Sequence, residues 1–202
     1  MSTLICLIRH GQTEWNKHLL IQGTIDNPLN KTGISQAHNT SKLLKKININ
    51  WDTLISSPLQ RALSTMQIIK EDLNLHLPII KDKNVIEREF GELEGCKVCE
   101  ESYSRMYKEN VEGLEKLNDL QNRAYNAILD ISRQYPNSNI LITSHSQFIK
   151  GFLTKVLPEF DFKFVIKNTS LNFILVDNNK IQVLAYNITD ENINTITNKI
   201  KR

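Results

Sequence analysis

Short, continuously apolar segments alternate along this chain with longer segments in which apolar residues recur at helical spacing. The apolar segments cover residues 3–8, 53–57 and 140–144, and each has the length of a buried strand. Apolar residues recur at helical spacing within residues 34–47, 59–73, about 97–136 and about 147–157. Strands that alternate with helices indicate a largely parallel sheet with helices on both faces. We therefore expect an α/β fold, a three-layer α/β/α sandwich.

The remaining elements complete one domain. The segment LPII, residues 77–80, predicts a short strand, and two more strands are predicted near 170–176 and 181–187, around a turn at 177–179. A chain of 202 residues can bury one proper core and is short for two. Because no linker composition interrupts it, we expect a single domain over residues 1–202.

Charge and hydropathy exclude several classes of protein. The formal net charge is only +3, and the lysines are scattered, which argues against a nucleic-acid surface. The basic end at Lys199, Lys201 and Arg202 is interpreted as a solvated tail. No apolar run reaches the roughly 18 residues that span a bilayer, and the N-terminus lacks the pattern of a signal peptide. We expect a cytoplasmic protein with no membrane partner.

The cysteines predict neither a disulfide framework nor a metal site. There are three of them, an odd number, and Cys96 and Cys99 form a CxxC. A zinc site would need a second pair or histidines at ligand spacing, and a redox site would need the motif to open a helix after a strand. Neither context is clear, so we expect no metal and no cofactor.

Two of the predicted strands end in histidine. Arg9 and His10 follow the first strand, His145 follows the strand at 140–144, and Arg61 lies in the first helical turn after the strand at 53–57. In open α/β sheets, ligands bind beyond the carboxyl ends of the strands. Two histidines and two arginines are therefore expected to converge at this edge.

Such a group of side chains is suited to phosphoryl transfer. Guanidinium groups bind phosphate oxygens in bidentate fashion, and a neutral imidazole can attack phosphorus to form a phosphohistidine. The arginines lower the histidine pKa and stabilise negative charge in the transition state. A carboxylic acid must protonate the leaving group, and the segment VIEREFGELEG, residues 85–95, offers four candidates between which spacing does not choose: Glu87, Glu89, Glu92 and Glu94.

Several of these segments, in chain order, resemble motifs of one known family. They are RHGQTEWN (9–16), QGTIDNPLNKTGISQA (22–37), SSPLQRALST (56–65), VIEREFGELEG (85–95), SHSQFI (144–149) and NTSLNFI (168–174). Together they resemble the histidine phosphatase superfamily in its phosphoglycerate mutase-like branch. The resemblance runs from residue 5 to about residue 176, and it implies that family's α/β fold.

Carried over by position, the resemblance assigns a role to each site residue. It implies that His10 is the phosphorylated nucleophile and that Glu87 is the acid. It implies that the phosphoryl group and substrate are bound by Arg9, Arg61 and His145, with further contacts from Asn16, Gln22, Gly23 and Ser146. Ser146 departs from the pattern, because glycine usually follows the second histidine, and a site that demands positive φ there would have to shift.

The expected activity is hydrolysis of a small phosphorylated metabolite by a metal-independent phosphatase. A cofactor-dependent phosphoglycerate mutase is the alternative, and a non-catalytic phosphate-binding module is a third interpretation. Such mutases tend to carry a longer insertion before the second histidine, whereas this chain has only residues 96–144 there. The substrate is left open, since it depends on a lid segment at about 96–122 that departs from the family pattern. Monomer and homodimer are both left open.

Overall fold

The computed structural model describes residues 2–193 and contains one central sheet. Its strands are β1 (Ser2–Arg9), β2 (Thr53–Ser56), β3 (Ile79–Lys81), β4 (Asn139–Ser144), β5 (Leu171–Asp177) and β6 (Lys180–Ile188). The basic end at Lys199, Lys201 and Arg202 lies outside the described residues.

The sheet has the strand order β3-β2-β4-β1-β5-β6. The four strands from β3 to β1 are mutually parallel, β5 is antiparallel to β1, and β6 is antiparallel to β5. The largely parallel sheet predicted from the sequence is therefore confirmed, and the antiparallel hairpin of β5 and β6 closes one edge.

Helices cover both faces of the sheet. They are α1 (Glu14–Lys17), α2 (Lys31–Ile47), α3 (Gln60–Asp72), α4 (Glu100–Tyr107), α5 (Leu117–Gln134) and α6 (Ser146–Val156), with 3₁₀ turns at Lys83–Val85 and Gly91–Leu93. Among residues 2–193, no helix has both the length and the apolar character needed to cross a membrane.

Strand β1 lies at the centre of the three layers because it is apolar on both faces. Ile5 and Leu7 pack in the cluster formed with α5 and α6, whereas Leu4, Cys6 and Ile8 pack in the cluster formed with α2 and α3. Side chains alternate between faces along a strand, so a continuous apolar run is what a strand buried on both sides requires. The rigid centre of the sheet thus leads directly to Arg9 and His10.

The segment at 97–136 is less helical than its periodicity predicts. Helix α4 ends at Tyr107 and α5 begins at Leu117, with an irregular stretch between them. The interruption contains Gly113 at φ 74°, whose neighbour Leu114 bridges to Phe90. Met106 of α4 packs in a small apolar cluster with Ile21, Phe90 and Leu93, so this helix covers the loops that contain those residues as a lid.

Candidate active site

Strands β1 and β4 place the two histidines side by side. The strands pair in parallel with Arg9 opposite Ser144, so His10 and His145 leave the sheet at the same edge. The His10 N–H donates to the Ser144 carbonyl at 2.9 Å, and the two imidazole rings are 5.2 Å apart between centroids. The convergence expected from the sequence is present in the structure.

His10 is buried, neutral and held in one orientation. Its side chain is 2% exposed, and Nδ1 lies 2.7 Å from the Gly11 carbonyl oxygen. Because a carbonyl oxygen only accepts hydrogen bonds, this contact places the proton on Nδ1 and leaves a lone pair on Nε2. Burial, followed by the charges of Arg61 and Arg9, holds the His10 pKa well below its usual value. Nε2 is therefore available as a nucleophile at neutral pH.

Polar side chains that sequence reasoning missed hold the backbone on either side of this ring. The Gly11 N–H donates to Thr65 Oγ1 at 3.0 Å, and that hydroxyl donates to the Arg61 carbonyl at 2.7 Å. Asn168 Nδ2 donates to the His10 carbonyl at 2.9 Å. Thr65 and Asn168 lie within the quoted motifs, but their residue types alone do not distinguish them from other polar residues there.

The two arginines are fixed by backbone carbonyls. Arg61 is fully buried on α3 and donates from Nη1 to Ile25 at 2.8 Å and from Nη2 to Gly23 at 2.6 Å. Arg9 donates from Nη1 to Ile166 at 2.6 Å. Within the described part of the chain, the buried Nε of each arginine has no hydrogen-bond partner. Each can therefore offer this donor to a phosphate oxygen without losing the bonds that position it.

Burial lowers the pKa of both guanidinium groups without discharging them. The Arg9 pKa falls to about 10, and the Arg61 pKa is also lowered. The negative charge of Glu87 opposes the shift at both residues. Both remain cationic at any working pH, as phosphate binding requires.

His145 is held by Ser57, another residue that sequence reasoning missed. Its Nε2 lies 2.7 Å from Ser57 Oγ, and its buried Nδ1 has no partner among residues 2–193. When Ser57 donates to Nε2, the hydrogen of the neutral ring lies on Nδ1, ready to be donated to a phosphoryl oxygen. Burial and the charge of Arg61 keep the His145 pKa well below its usual value.

Glu87 is the carboxyl group that the structure brings to the histidines. It is 7% exposed, and its Oε1 accepts hydrogen bonds from three backbone N–H groups: Arg88 and Gln147 at 3.0 Å and Phe148 at 3.2 Å. This leaves Oε2 as the oxygen that can carry a proton. Burial raises the Glu87 pKa, against the lowering effect of Arg61. A raised pKa suits a general acid.

The other three glutamates of this loop are placed elsewhere. Glu89 and Glu92 are exposed to solvent. Glu94 accepts hydrogen bonds from the backbone N–H groups of Thr24 at 2.9 Å and Ile25 at 3.2 Å, so its carboxylate organises the loop at 22–25. Of the four candidates, Glu87 alone lines the pocket that contains His10.

That pocket has a volume of about 100 Å³, and its wall includes the remaining predicted residues Asn16, Gln22, Gly23 and Ser146. Thr13 orients two of them: its backbone N–H donates to Asn16 Oδ1 at 3.2 Å and its hydroxyl donates to Gln22 Oε1 at 2.9 Å. Because each amide oxygen is occupied, the amide nitrogens are left to donate to a phosphate.

Gly23 and Ser146 differ in how strictly their residue type is required. Gly23 has φ 53°, and a Cβ there would lie 1.9 Å from Glu94 Oε1, so a larger residue would displace the carboxylate that organises this loop. Ser146 is the first residue of α6 and is helical, so the position does not demand positive φ. Its backbone N–H has no intrahelical acceptor and can serve a phosphate oxygen, as can a glycine N–H.

The pocket is closed on the outer side by α4 and the residues before it. Val98, Ser102, Tyr103 and Met106 line this wall. Cys96 and Cys99 are exposed free thiols at its start. Residues 2–193 contain no group of three or more His, Cys, Asp or Glu side chains arranged to hold a metal ion.

Comparison with known proteins identifies the family of this chain. The family profile described as "Histidine phosphatase superfamily (branch 1)" matches residues 5–189. The chain is 34% identical over 197 residues to the "Uncharacterized phosphatase PhoE" of Bacillus subtilis (strain 168), with 96% of each chain covered. It is 30% identical over 203 residues to a 2,3-bisphosphoglycerate-dependent phosphoglycerate mutase of Buchnera aphidicola subsp. Cinara cedri, covering 94% of this chain and 86% of the mutase.

A solved structure has the same fold at a similar level of identity. Phosphoserine phosphatase from Entamoeba histolytica, in complex with 3-phosphoglyceric acid, matches with a TM-score of 0.77 and 28% identity. The match covers 93% of this chain and 98% of that chain. With this fold and a family match over residues 5–189, the chain belongs to branch 1 of the histidine phosphatase superfamily.

Proposed function

We propose that this protein is a phosphatase that hydrolyses small phosphate monoesters through a phosphohistidine at His10, without a metal ion. The observation that carries the proposal is the state of His10: buried and neutral, with Nδ1 bonded to the Gly11 carbonyl, beside Arg9 and Arg61. This is the arrangement that a nitrogen nucleophile needs in order to attack an anionic phosphorus centre.

In the first step His10 takes the phosphoryl group. The Nε2 lone pair forms a bond to phosphorus as the bond to the ester oxygen breaks. The leaving oxygen receives the proton from Glu87 Oε2, so an alcohol departs rather than an alkoxide. Arg9, Arg61 and the Nδ1–H of His145 bind the oxygens of the phosphoryl group as charge moves onto them.

In the second step water removes the phosphoryl group. The Glu87 carboxylate, now deprotonated, accepts a proton from the water as the water oxygen bonds to phosphorus and the bond to Nε2 breaks. Inorganic phosphate is released, His10 is neutral again, and Glu87 carries a proton for the next cycle.

A phosphoglycerate mutase would use the same phosphohistidine, and mutases occur among the relatives. The short segment between the acidic loop and the second histidine favours the phosphatase. The test is incubation with 3-phosphoglycerate and a trace of 2,3-bisphosphoglycerate, following both phosphate release and isomer formation. We expect phosphate release to be the faster process. Isomerisation that outpaces phosphate release would overturn the proposal in favour of the mutase.

The pH dependence follows from His10 and Glu87. His10 must be neutral, so activity falls only below its lowered pKa; Glu87 must be protonated, so activity falls above its raised pKa. We expect kcat/KM for an alkyl phosphate to be highest on the mildly acidic side of neutrality. The phosphate group of the ester has a second pKa of about 6 and contributes its own limb to the profile. The profile is therefore measured for wild type and for Glu87→Gln on the same substrate, so that this contribution is common to both. An alkaline optimum, or an unchanged basic limb in Glu87→Gln, would contradict Glu87 as the acid.

A further inference from the structure

A second, smaller cavity adjoins the pocket of His10. The two share three wall residues, Tyr103, Met106 and Gln147. The second cavity has a volume of about 40 Å³ and extends away from the phosphoryl site between the lid helix α4 and helix α6. Two cationic side chains, Arg88 and Lys150, contribute to its lining.

Arg88 is held with part of its guanidinium group unsatisfied. It is 2% exposed, and its Nε donates to the Glu115 carbonyl at 2.8 Å. Its Nη2 is buried and has no hydrogen-bond partner within the structure as described. A buried donor of a charged group without a partner is costly, so in native proteins a ligand or an ordered water usually supplies the acceptor.

Lys150, on α6, is likewise a nearly buried cation. It is 6% exposed, and its ammonium nitrogen lies 5.5 Å from the centroid of the Phe162 ring. Neither Lys150 nor Arg88 forms an ion pair with any residue from 2 to 193. Burial and the charge of Arg9 lower the Lys150 pKa to about 8, while Glu87 and Asp161 oppose the shift.

The cavity contains little negative charge of its own. Among the described residues that line it, Glu109 is the one carboxylate. Glu109 is exposed, and its Oε1 already accepts the Leu117 N–H at 2.6 Å. Glu115 and Glu87 act on Arg88, and Glu87 and Asp161 act on Lys150, but none of these three carboxylates lines the cavity. The cavity wall itself therefore carries two nearly buried cations and one occupied, solvated carboxylate, which favours an incoming anion.

The size of the cavity restricts that anion. A water molecule needs roughly 10–15 Å³ of such volume, so about 40 Å³ holds three water-sized atoms, the number in a carboxylate group. Between the cavities, Gln147 has a buried Oε1 without a partner in the described chain. This oxygen can accept a hydrogen bond from a hydroxyl or ammonium group on the atoms that link a phosphate to a carboxylate.

We propose that Arg88 and Lys150 form a second anion-binding subsite, and that the preferred substrates are short phosphate monoesters carrying a carboxylate, as in phosphorylated hydroxy acids or amino acids. This inference rests on the proposed function, because the subsite binds the part of the substrate that remains after His10 removes the phosphate. Arg88 and Lys150 act as specificity-determining residues, with Gln147 between the two anions.

The test compares two esters that differ at one position. In 3-phosphoglycerate a carboxylate stands where glycerol 3-phosphate has a hydroxymethyl group. We expect wild type to favour the acid in kcat/KM by roughly tenfold or more, because an ionic hydrogen bond to a buried cation is among the stronger polar contacts. Lys150→Met should lower this preference by about tenfold, mainly through KM, and Lys150→Arg should restore most of it. Lys155→Met, at an exposed position of the same helix, should keep the wild-type ratio.

The possible outcomes test the subsite and the phosphatase activity separately. Equal kcat/KM values for the two esters in wild type, with 4-nitrophenyl phosphate turned over normally, would overturn the subsite and leave the proposed function standing. Equal ratios in wild type and in correctly folded Lys150→Met would also overturn it. Absence of turnover for every ester would instead reject the proposed function. The difference in calorimetric affinity between the two esters, measured with inactive His10→Ala, reports on the subsite without turnover, and tighter binding of the acid is the expected result.

Discussion

Replacement of His10 by alanine is expected to abolish turnover, lowering kcat by roughly 10⁴-fold or more. No other described side chain in the pocket offers a neutral nitrogen held in line for attack: His145 uses Nε2 for its contact with Ser57, and the arginines remain charged. Phosphate release from 3-phosphoglycerate and from 4-nitrophenyl phosphate measures the effect. Circular dichroism and thermal unfolding establish that the variant is folded.

The matched control is His38→Ala. His38 is an exposed histidine of α2 whose Nδ1 lies 2.8 Å from Asp72 Oδ2, away from the pocket of His10. We expect this variant to retain wild-type kcat/KM. Substantial activity in folded His10→Ala would reject His10 as the nucleophile.

Replacement of Glu87 by glutamine is expected to lower kcat/KM for an alkyl phosphate by roughly 10²–10⁴-fold, the range typical of general acid catalysis. The amide keeps an oxygen to accept the N–H groups of Gln147 and Phe148, so the local fold is retained, but it has no acidic proton to transfer. An aryl phosphate such as 4-nitrophenyl phosphate should lose far less, because its leaving group needs little protonation. Measuring kcat/KM isolates the first step from hydrolysis of the phosphoenzyme.

Glu89→Gln is the control for this prediction, since Glu89 is a neighbouring but exposed carboxylate. It should behave as wild type on both substrates. Equal losses on alkyl and aryl esters in Glu87→Gln would indicate a structural role for Glu87. A selective loss on alkyl esters in Glu89→Gln would identify Glu89 as the acid.

The sequence predicts the centre of this site because its determinants are local. A continuously apolar run specifies a strand buried on both faces, and parallel pairing of two such strands brings His10 and His145 to one edge. The choice of Glu87 among the four glutamates depends instead on contacts between residues that are far apart in the sequence. Its buried state depends on N–H groups of Gln147 and Phe148, about 60 positions along the chain. Spacing within the acidic loop contains no information about that packing.

The break within the predicted lid segment and the second cavity are not predictable from the sequence, for related reasons. The helical period at 97–136 does not reveal the break before α5, which depends on contact between two distant glycines. A Cβ on Gly91 would lie 1.8 Å from the Glu112 carbonyl, and one on Gly113 would lie 3.1 Å from the Gly91 Cα. Lys150 resembles any helical surface lysine in the sequence. Its burial arises because Phe162 and the segment around it pack across α6.

The most direct test of the central claim is to identify the phosphorylated residue. Glu87→Gln mixed with 4-nitrophenyl phosphate should accumulate the intermediate, because the first step needs little acid while the second step lacks its base. Rapid quenching at alkaline pH followed by peptide mass spectrometry is expected to find one acid-labile phosphoryl group, on His10, and none in His10→Ala. A phosphoryl group on any other residue, or sustained turnover with no phosphoenzyme at any time, would contradict the account.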